Sequence, residues 1–273
     1  MHKEILDFMK SQAREAGQVM MKRLHGDYRV YTKPDRSRVT DVDLAISDQV
    51  QEAVARQFPQ IGLYSEESPE KTILPGRPYF IVDELDDTSS YIDDKTGFSH
   101  QSAYYEPGKG LLIGLIYYPW NDALLYALKG EGAYLEQEGE ARRLLPPPDK
   151  PFDQLTYFHS ARFRGEKYIE LFRKLGVSDK RIIRTDARRS LLMAQGELDV
   201  CLHLRARIAI WDMAGEKVII EELGFSHCYF DGSLVRFGQE PPRGNQGYLK
   251  CPAKWKDKFL EELPGLLPRE YKP

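Results

Sequence analysis

The 273-residue sequence predicts a mixed α/β (α+β) protein, with an antiparallel sheet in its first half and an α/β arrangement in its second. Three observations carry this expectation. The chain opens with two segments of helical periodicity. Its middle is a run of short β-rich segments separated by Gly, Pro and Asn-Asp turns. Beyond Pro151, strand-like and helix-like segments alternate. The Pro-rich stretch "LLPPPDKP", Leu144 to Pro151, is the expected hinge, which divides the chain into residues 1–148 and 149–273.

The elements follow in order. Ile5, Phe8, Met9, Ala13, Ala16, Met20 and Leu24 recur at three- and four-residue steps, so Glu4 to Leu24 reads as an amphipathic helix. "TKPDRSR", Thr32 to Arg38, is a polar loop. Thr40 to Phe58 is a second helix with Ile46, Val50, Val54 and Phe58 on one stripe, and Thr40 followed by Asp43 is a capping-box variant. "IGLYSEES" and "RPYFIVDEL" are apolar runs that end in acids and read as buried strands. "HQSAYYEP", "GLLIGLIYYPW", "DALLYALKG" and "GAYLEQEGEARRL" form an antiparallel meander. Past the hinge, "LTYFHS" is a strand, "GEKYIELFRKLG" and "RRSLLMAQG" are helices, "LDVCLHL" is a strand and "WDMAGEKVIIEELG" a helix. A short helical stretch follows around Trp255 to Leu266.

The composition narrows the function. With 41% apolar and 30% charged residues and a net charge of −3, the chain reads as a soluble globular protein. That charge offers no affinity for nucleic acid or an anionic membrane. Cys201, Cys228 and Cys251 are odd in number and far apart, which argues against a disulfide framework or a zinc site and for a reducing compartment. The first residues are charged throughout, unlike a signal peptide, and no apolar run is long enough to span a bilayer. A cytoplasmic location is expected.

Three segments deliver acids from apolar stretches: "YSEES" with Glu66 and Glu67, "VDELD" with Asp83 and Asp86, and "IWDMAG" with Asp212. Each alone reads as a turn or a cap. Asp212 would N-cap the helix that Gly224 closes, and Asp86 or Asp87 would cap a short one. Brought together they need another reason, because two carboxylates about 4 Å apart repel by about 4 kcal/mol at an effective dielectric near 20. Protonation or bound cations remove that cost. Oxygen donors without a His or Cys cluster select hard cations, Mg²⁺ before Ca²⁺ or Mn²⁺. Two such ions on shared carboxylates suit phosphate ester hydrolysis.

These segments form an ordered series: "VTDVD" at Val39–Asp43, "SEE" at Ser65–Glu67, "DELDDT" at Asp83–Thr88 and "WDMAG" at Trp211–Gly215. The series resembles the inositol monophosphatase family of lithium-sensitive, Mg²⁺-dependent phosphatases, whose pattern reads VTxxD, GEE, DPxDGT and WDxAAG. The segment "GLIYYPWNDALLYALKGEGAYL" is similar to the family's hairpin, and the likeness runs from Lys33 to Gly224. It implies a layered α-β-α-β-α sugar-phosphatase-like fold and a homodimer acting on a small phosphorylated metabolite. Inositol monophosphate is the default substrate, with fructose-1,6-bisphosphate, histidinol phosphate and 3′-phosphoadenosine 5′-phosphate as alternatives.

The resemblance also implies roles. Glu66, Asp83 and the Leu85 carbonyl would hold one Mg²⁺; Asp83, Asp86 and Asp212 would hold a second; and Glu66 would reach a third through waters. Asp43 and Thr88 would take the proton of the attacking water, with Glu66 beside them in the catalytic set. Backbone N–H groups of Asp87 and Thr88 would cradle the phosphate. Ala187, His203 and Arg205 would line the substrate pocket. Lys33 stands where the family has a basic residue in a loop that closes on the site, although a lone lysine in a polar loop reads as solvent-exposed.

The pattern also breaks. Asp87 stands where the family has Gly, Glu84 where it has Pro and Ser65 where it has Gly. "TDARRS", Thr185 to Ser190, replaces a small-residue segment, and His203 replaces an acid in "DVCLHLRARIAIWD". Arg188 and Arg189 read either as contacts to an anionic substrate or as exposed surface. Asp87 sets up the alternative to catalysis, a relative that binds a phosphometabolite or a metal without turning it over.

Overall fold

The computed structural model describes residues 1–68, 75–160, 166–185, 188–204, 209–235, 237 and 247–267. Helix α1 spans His2–Arg23 and α2 spans Asp41–Gln57, separated by the short hairpin β1 (Val30–Thr32) and β2 (Arg38–Thr40). Thr40 caps α2 as expected. Its hydroxyl accepts from the amides of Val42 and Asp43, while Asp43 Oδ2 accepts from the Thr40 amide at 2.8 Å.

Seven strands build the main sheet in chain order: β3 (Gly62–Ser65), β4 (Tyr79–Asp86), β5 (Ser99–Glu106), β6 (Gly110–Tyr118), β7 (Ala123–Leu128), β8 (Gly132–Gln137) and β9 (Glu140–Arg143). From β4 onward each pair is antiparallel, the meander that the turn residues anticipate. The pair β3–β4 is parallel. Helix α3 (Thr88–Asp93) follows β4 directly.

Beyond the Pro-rich stretch come β10 (Tyr157–Ser160), α4 (Glu166–Lys174), β11 (Ile182–Thr185), α5 (Arg189–Ala194), β12 (Cys201–His203), α6 (Trp211–Glu222), β13 (Phe225–Tyr229), β14 (Tyr248–Pro252) and α7 (Lys256–Leu266). Here β10 and β11 pair in parallel, as alternating strands and helices suggest, while β12, β14 and β13 pair antiparallel in that order. A parallel bridge from Tyr157 to Val200 joins the two groups.

The layers follow from which side chains share a core. Phe80 and Val82 of β4 pack with Ile5, Phe8, Val50 and Val54 of α1 and α2. Ile81, on the other face by strand alternation, packs with Leu191 of α5 and Ala214 and Val218 of α6. Tyr157, Leu202 and Leu249 of the second sheet pack with Phe172 of α4 and Phe259 of α7. The order is therefore α1/α2, sheet, α5/α6, sheet, α4/α7, which is the α-β-α-β-α layering. Helix α6 seats against the main sheet through glycine. A Cβ on Gly114 of β6 would run into the Gly215 carbonyl, and one on Gly215 would lie 2.8 Å from Leu115 O and 2.9 Å from Ser102 O. Gly224, at φ +83°, follows the last turn of α6 as the expected closing glycine. The three cysteines are free and buried. Among the described residues no helix is long and apolar enough to cross a membrane.

Candidate metal and phosphate site

The acids meet because β3 and β4 run parallel. Ser65 stands level with Val82, and the Glu66 amide extends the ladder by donating to Val82 O at 3.1 Å. Both strands therefore deliver their C-terminal acids to one edge of the sheet. Asp212 arrives from the middle helical layer. It does not cap α6: the cap position is Ile210, and Asp212 lies in the first turn, where its Oδ2 accepts from the Ala209 amide at 3.2 Å. The N-cap expectation is corrected by two residues. A carboxylate there still gains from the positive end of the helix.

One carboxylate oxygen from each of Glu66, Asp83 and Asp212 lies within 4.8 Å of the others. Asp83 is buried, and its Oδ1 has no hydrogen-bond partner among the described residues. Asp86 ends β4 and is held by Gln101 Nε2 at 2.7 Å and by the Ser99 hydroxyl at 3.2 Å, both from β5. The electrostatics match the crowding. Burial first, then Glu66, Asp86 and Asp212, pushes the Asp83 carboxyl well above the usual range. Burial followed by Glu66 and Asp86 raises Asp212 to about 7. Burial raises Asp86 to about 6, against the opposing charge of Arg189. A buried oxygen without a partner, set among oxygen donors from three segments, fits a hard cation.

Thr88, at the start of α3, donates its hydroxyl to Asp43 Oδ1 at 3.0 Å and lies 3.1 Å from the Leu85 carbonyl. The other Asp43 oxygen takes the Thr40 hydroxyl at 2.5 Å. Burial raises the Asp43 carboxyl despite these bonds. Asp87 adopts the left-handed conformation, φ 57° and ψ 56°, in which Asp is better tolerated than most side chains. Its Oδ1 accepts from the Ser90 amide at 3.0 Å, so the carboxylate caps α3.

Lys33 is not simply solvent-exposed. The turn after β1 carries its Nζ to 2.7 Å from Glu66 Oε1 and 2.5 Å from Glu67 Oε1. Burial opposes its charge, but the two glutamates outweigh that and hold the ammonium above its usual range. Arg38 anchors the same hairpin through Asp93 at 3.0 and 2.6 Å.

Glu84, without a reason in the family pattern, acquires partners here. It is buried, accepts the Ser65 hydroxyl at 2.5 Å, and is raised to about 7 by burial against that bond. His203 of β12 stacks on Tyr248 with ring centres 4.2 Å apart. Ala187 and Arg205 lie outside the described residues. Arg188 is exposed, whereas Arg189 is mostly enclosed, 3.9 Å from Glu216.

Sequence reasoning missed Gln101, Ser99 and the Ser65–Glu84 contact. The first two stand opposite Asp83 and Asp86 in the β4–β5 ladder, a relation that appears only once the register is known.

The model of the inositol monophosphatase family matches residues 1–265. A 3′(2′),5′-bisphosphate nucleotidase CysQ of Aggregatibacter actinomycetemcomitans is 26% identical, covering 78% of this chain and 79% of its own. An inositol-1-monophosphatase of Bacillus subtilis is also 26% identical, covering 86% and 88%. Among solved structures, a Thermotoga maritima IMPase superposes with a TM-score of 0.78 at 20% identity, over 96% of this chain and 98% of its own.

Proposed function

The chain belongs to the inositol monophosphatase family, and from that premise we propose that it is a Mg²⁺-dependent hydrolase of a small phosphate monoester. The observation that carries this reading is the convergence of Glu66, Asp83 and Asp212 around a buried, unpartnered Asp83 oxygen. Glu66, Asp83 and the Leu85 carbonyl would hold one ion, and Asp83, Asp86 and Asp212 a second. Bound there, Mg²⁺ would supply Lewis acidity, lowering the pKa of water and offsetting phosphate charge.

The chain's own groups do the rest. Gln101 and Ser99 orient Asp86. The Thr88 hydroxyl is already bonded to Asp43 Oδ1, so it can accept a proton from an attacking water only by passing its own to Asp43. Burial makes Asp43 the more ready to receive it. Amide N–H groups of Asp87 and Thr88 would meet the phosphate. The Asp87 carboxylate is engaged with the Ser90 amide, which draws it along α3.

The substrate class rests on the relatives. A bisphosphate nucleotidase and an inositol-1-monophosphatase match at equal identity, and inositol monophosphate remains the first choice. A cytoplasmic homodimer belongs to the same reading. The test is phosphate release from inositol monophosphate, fructose-1,6-bisphosphate, histidinol phosphate and 3′-phosphoadenosine 5′-phosphate, with and without Mg²⁺ and Li⁺. Mg²⁺-dependent turnover of at least one is expected. No turnover on any of them, with Mg²⁺ binding intact, would replace catalysis with metabolite binding.

A further inference from the structure

Two of the departures from the family pattern touch each other. The Ser65 hydroxyl donates to Glu84 Oε1 at 2.5 Å, and both residues are buried. Glu84 Oε2 also accepts the Glu67 amide at 3.4 Å, and the Ser65 oxygen accepts the Ser68 amide at 3.1 Å. The Glu84 backbone is fixed in turn, since its carbonyl takes His100 Nδ1 at 3.2 Å. These bonds enclose a four-residue turn, Ser65 to Ser68, whose second residue is Glu66.

We propose that the Ser65–Glu84 pair is the positioning device for Glu66, replacing the Gly and Pro of the pattern that this chain resembles. In that pattern the glycine has no side chain to bond across to β4, and the proline ring itself stiffens the strand end; Ser65 keeps ordinary strand backbone, so here the constraint comes from its side chain. Here neither is present, and a side-chain hydrogen bond between the two strands joins the turn to β4. Glu66 is then held from two directions. Its own amide is on Val82 O, and the flanking residues of its turn are on Glu84. Ser65 and Glu84 act through Glu66 and are not themselves placed on metal or substrate.

The inference rests on the metal-site reading above, and calorimetric titration of Mg²⁺ into the full chain separates the two. Outer-shell partners of a metal ligand typically change affinity by about 10- to 100-fold when removed. Ser65→Ala should weaken Mg²⁺ binding about tenfold, and raise the Mg²⁺ concentration for half-maximal activity equally, with kcat at saturating Mg²⁺ preserved. Glu84→Gln keeps an acceptor for Ser65 but loses one for the Glu67 amide, so its loss should be smaller. The double variant should be weaker than Ser65→Ala by less than the Glu84→Gln loss alone, because the two changes share the Ser65–Glu84 bond.

Ser65→Gly should also bind more weakly, and Ser65→Gly combined with Glu84→Pro should recover most of the lost affinity. That last variant carries the test if Ser65→Ala does not fold by circular dichroism. Native affinity in folded Ser65→Ala, losses that multiply in the double variant, or no recovery in the Gly/Pro variant would each overturn the proposal. If the unaltered chain takes up no Mg²⁺, the metal-site reading fails first and this inference falls with it.

Discussion

The Thr88 hydroxyl lies 3.0 Å from Asp43 Oδ1, joining the first turn of α3 to the first turn of α2. The bond spans two motifs and leaves Thr88 with a single proton to hand on. Replacing Thr88 with Ala should lower kcat by about 10²-fold or more, the range for a lost proton-transfer group, with Mg²⁺ affinity little changed. A Thr88→Ser variant should retain most of the activity. Steady-state kinetics on the preferred substrate checks both, and an active Thr88→Ala enzyme would remove the relay.

Asp83 is the most crowded of the acids. Asp83→Asn should abolish Mg²⁺-dependent turnover and the calorimetric Mg²⁺ signal. The metal-free variant should nevertheless melt no lower than the unaltered chain, because one of the repelling charges has gone. Unchanged turnover would sink the assignment.

Asp87 separates backbone from charge. Asp87→Gly removes the left-handed strain and loses the Ser90 cap, changes of about 1 kcal/mol that oppose each other, so Tm should shift little. Its kcat/KM should rise through loss of a negative charge near the phosphate. Asp87→Ala keeps the strain and loses the cap, and should be less stable than Asp87→Gly by about 1–2 kcal/mol in urea unfolding. An equal or lower kcat/KM in the glycine variant would count against the charge argument.

The raised carboxyls give a pH dependence with a definite sign. Folded values above the unfolded ones, about 6 for Asp86 and about 7 for Asp212, mean that their contribution to stability is fully present below about pH 4. It is lost as the pH rises through 6 and 7. The metal-free chain should therefore lose Tm between about pH 5 and about pH 8, and added Mg²⁺ should raise Tm more at the higher pH. Thermal melts with EDTA or Mg²⁺ check this, and Asp212→Asn should flatten the slope.

Gly215 sets the seat of α6. Gly215→Ala forces a methyl against Leu115 O and Ser102 O. Overpacking of this kind costs about 1–3 kcal/mol. Because Asp212 rides on the same helix, the variant should also bind Mg²⁺ more weakly, which titration calorimetry would detect. Native stability and affinity together would show that the helix moves without consequence.

Much of this was legible because it is local. The stripe from Ile5 to Leu24 gave α1 to within two residues, the Thr40–Asp43 pair gave the cap of α2, and turn residues gave the meander from β5 to β9. The features that escaped are relations between strands. The parallel direction of β3 and β4 has no local signature, since an apolar run ending in acid reads the same in either direction. Glu84 looked unexplained because its partner Ser65 is 19 residues away. Lys33 looked exposed because its ion pair depends on a hairpin that carries it across to a turn 33 residues on. The antiparallel part of the second sheet was hidden for the same reason.

The parallel β3–β4 pair has a consequence for when the site comes into being. A parallel pair closes only after its crossover is in place, and Asp212 joins it from more than a hundred residues downstream. A nascent or partly folded chain carries the same acids but scattered, so it offers a divalent ion no enclosed cage. On the proposed metal-site reading, ion uptake would therefore report on completed folding. In a cell short of magnesium, the finished fold would be the form that loses most of its advantage over its precursors.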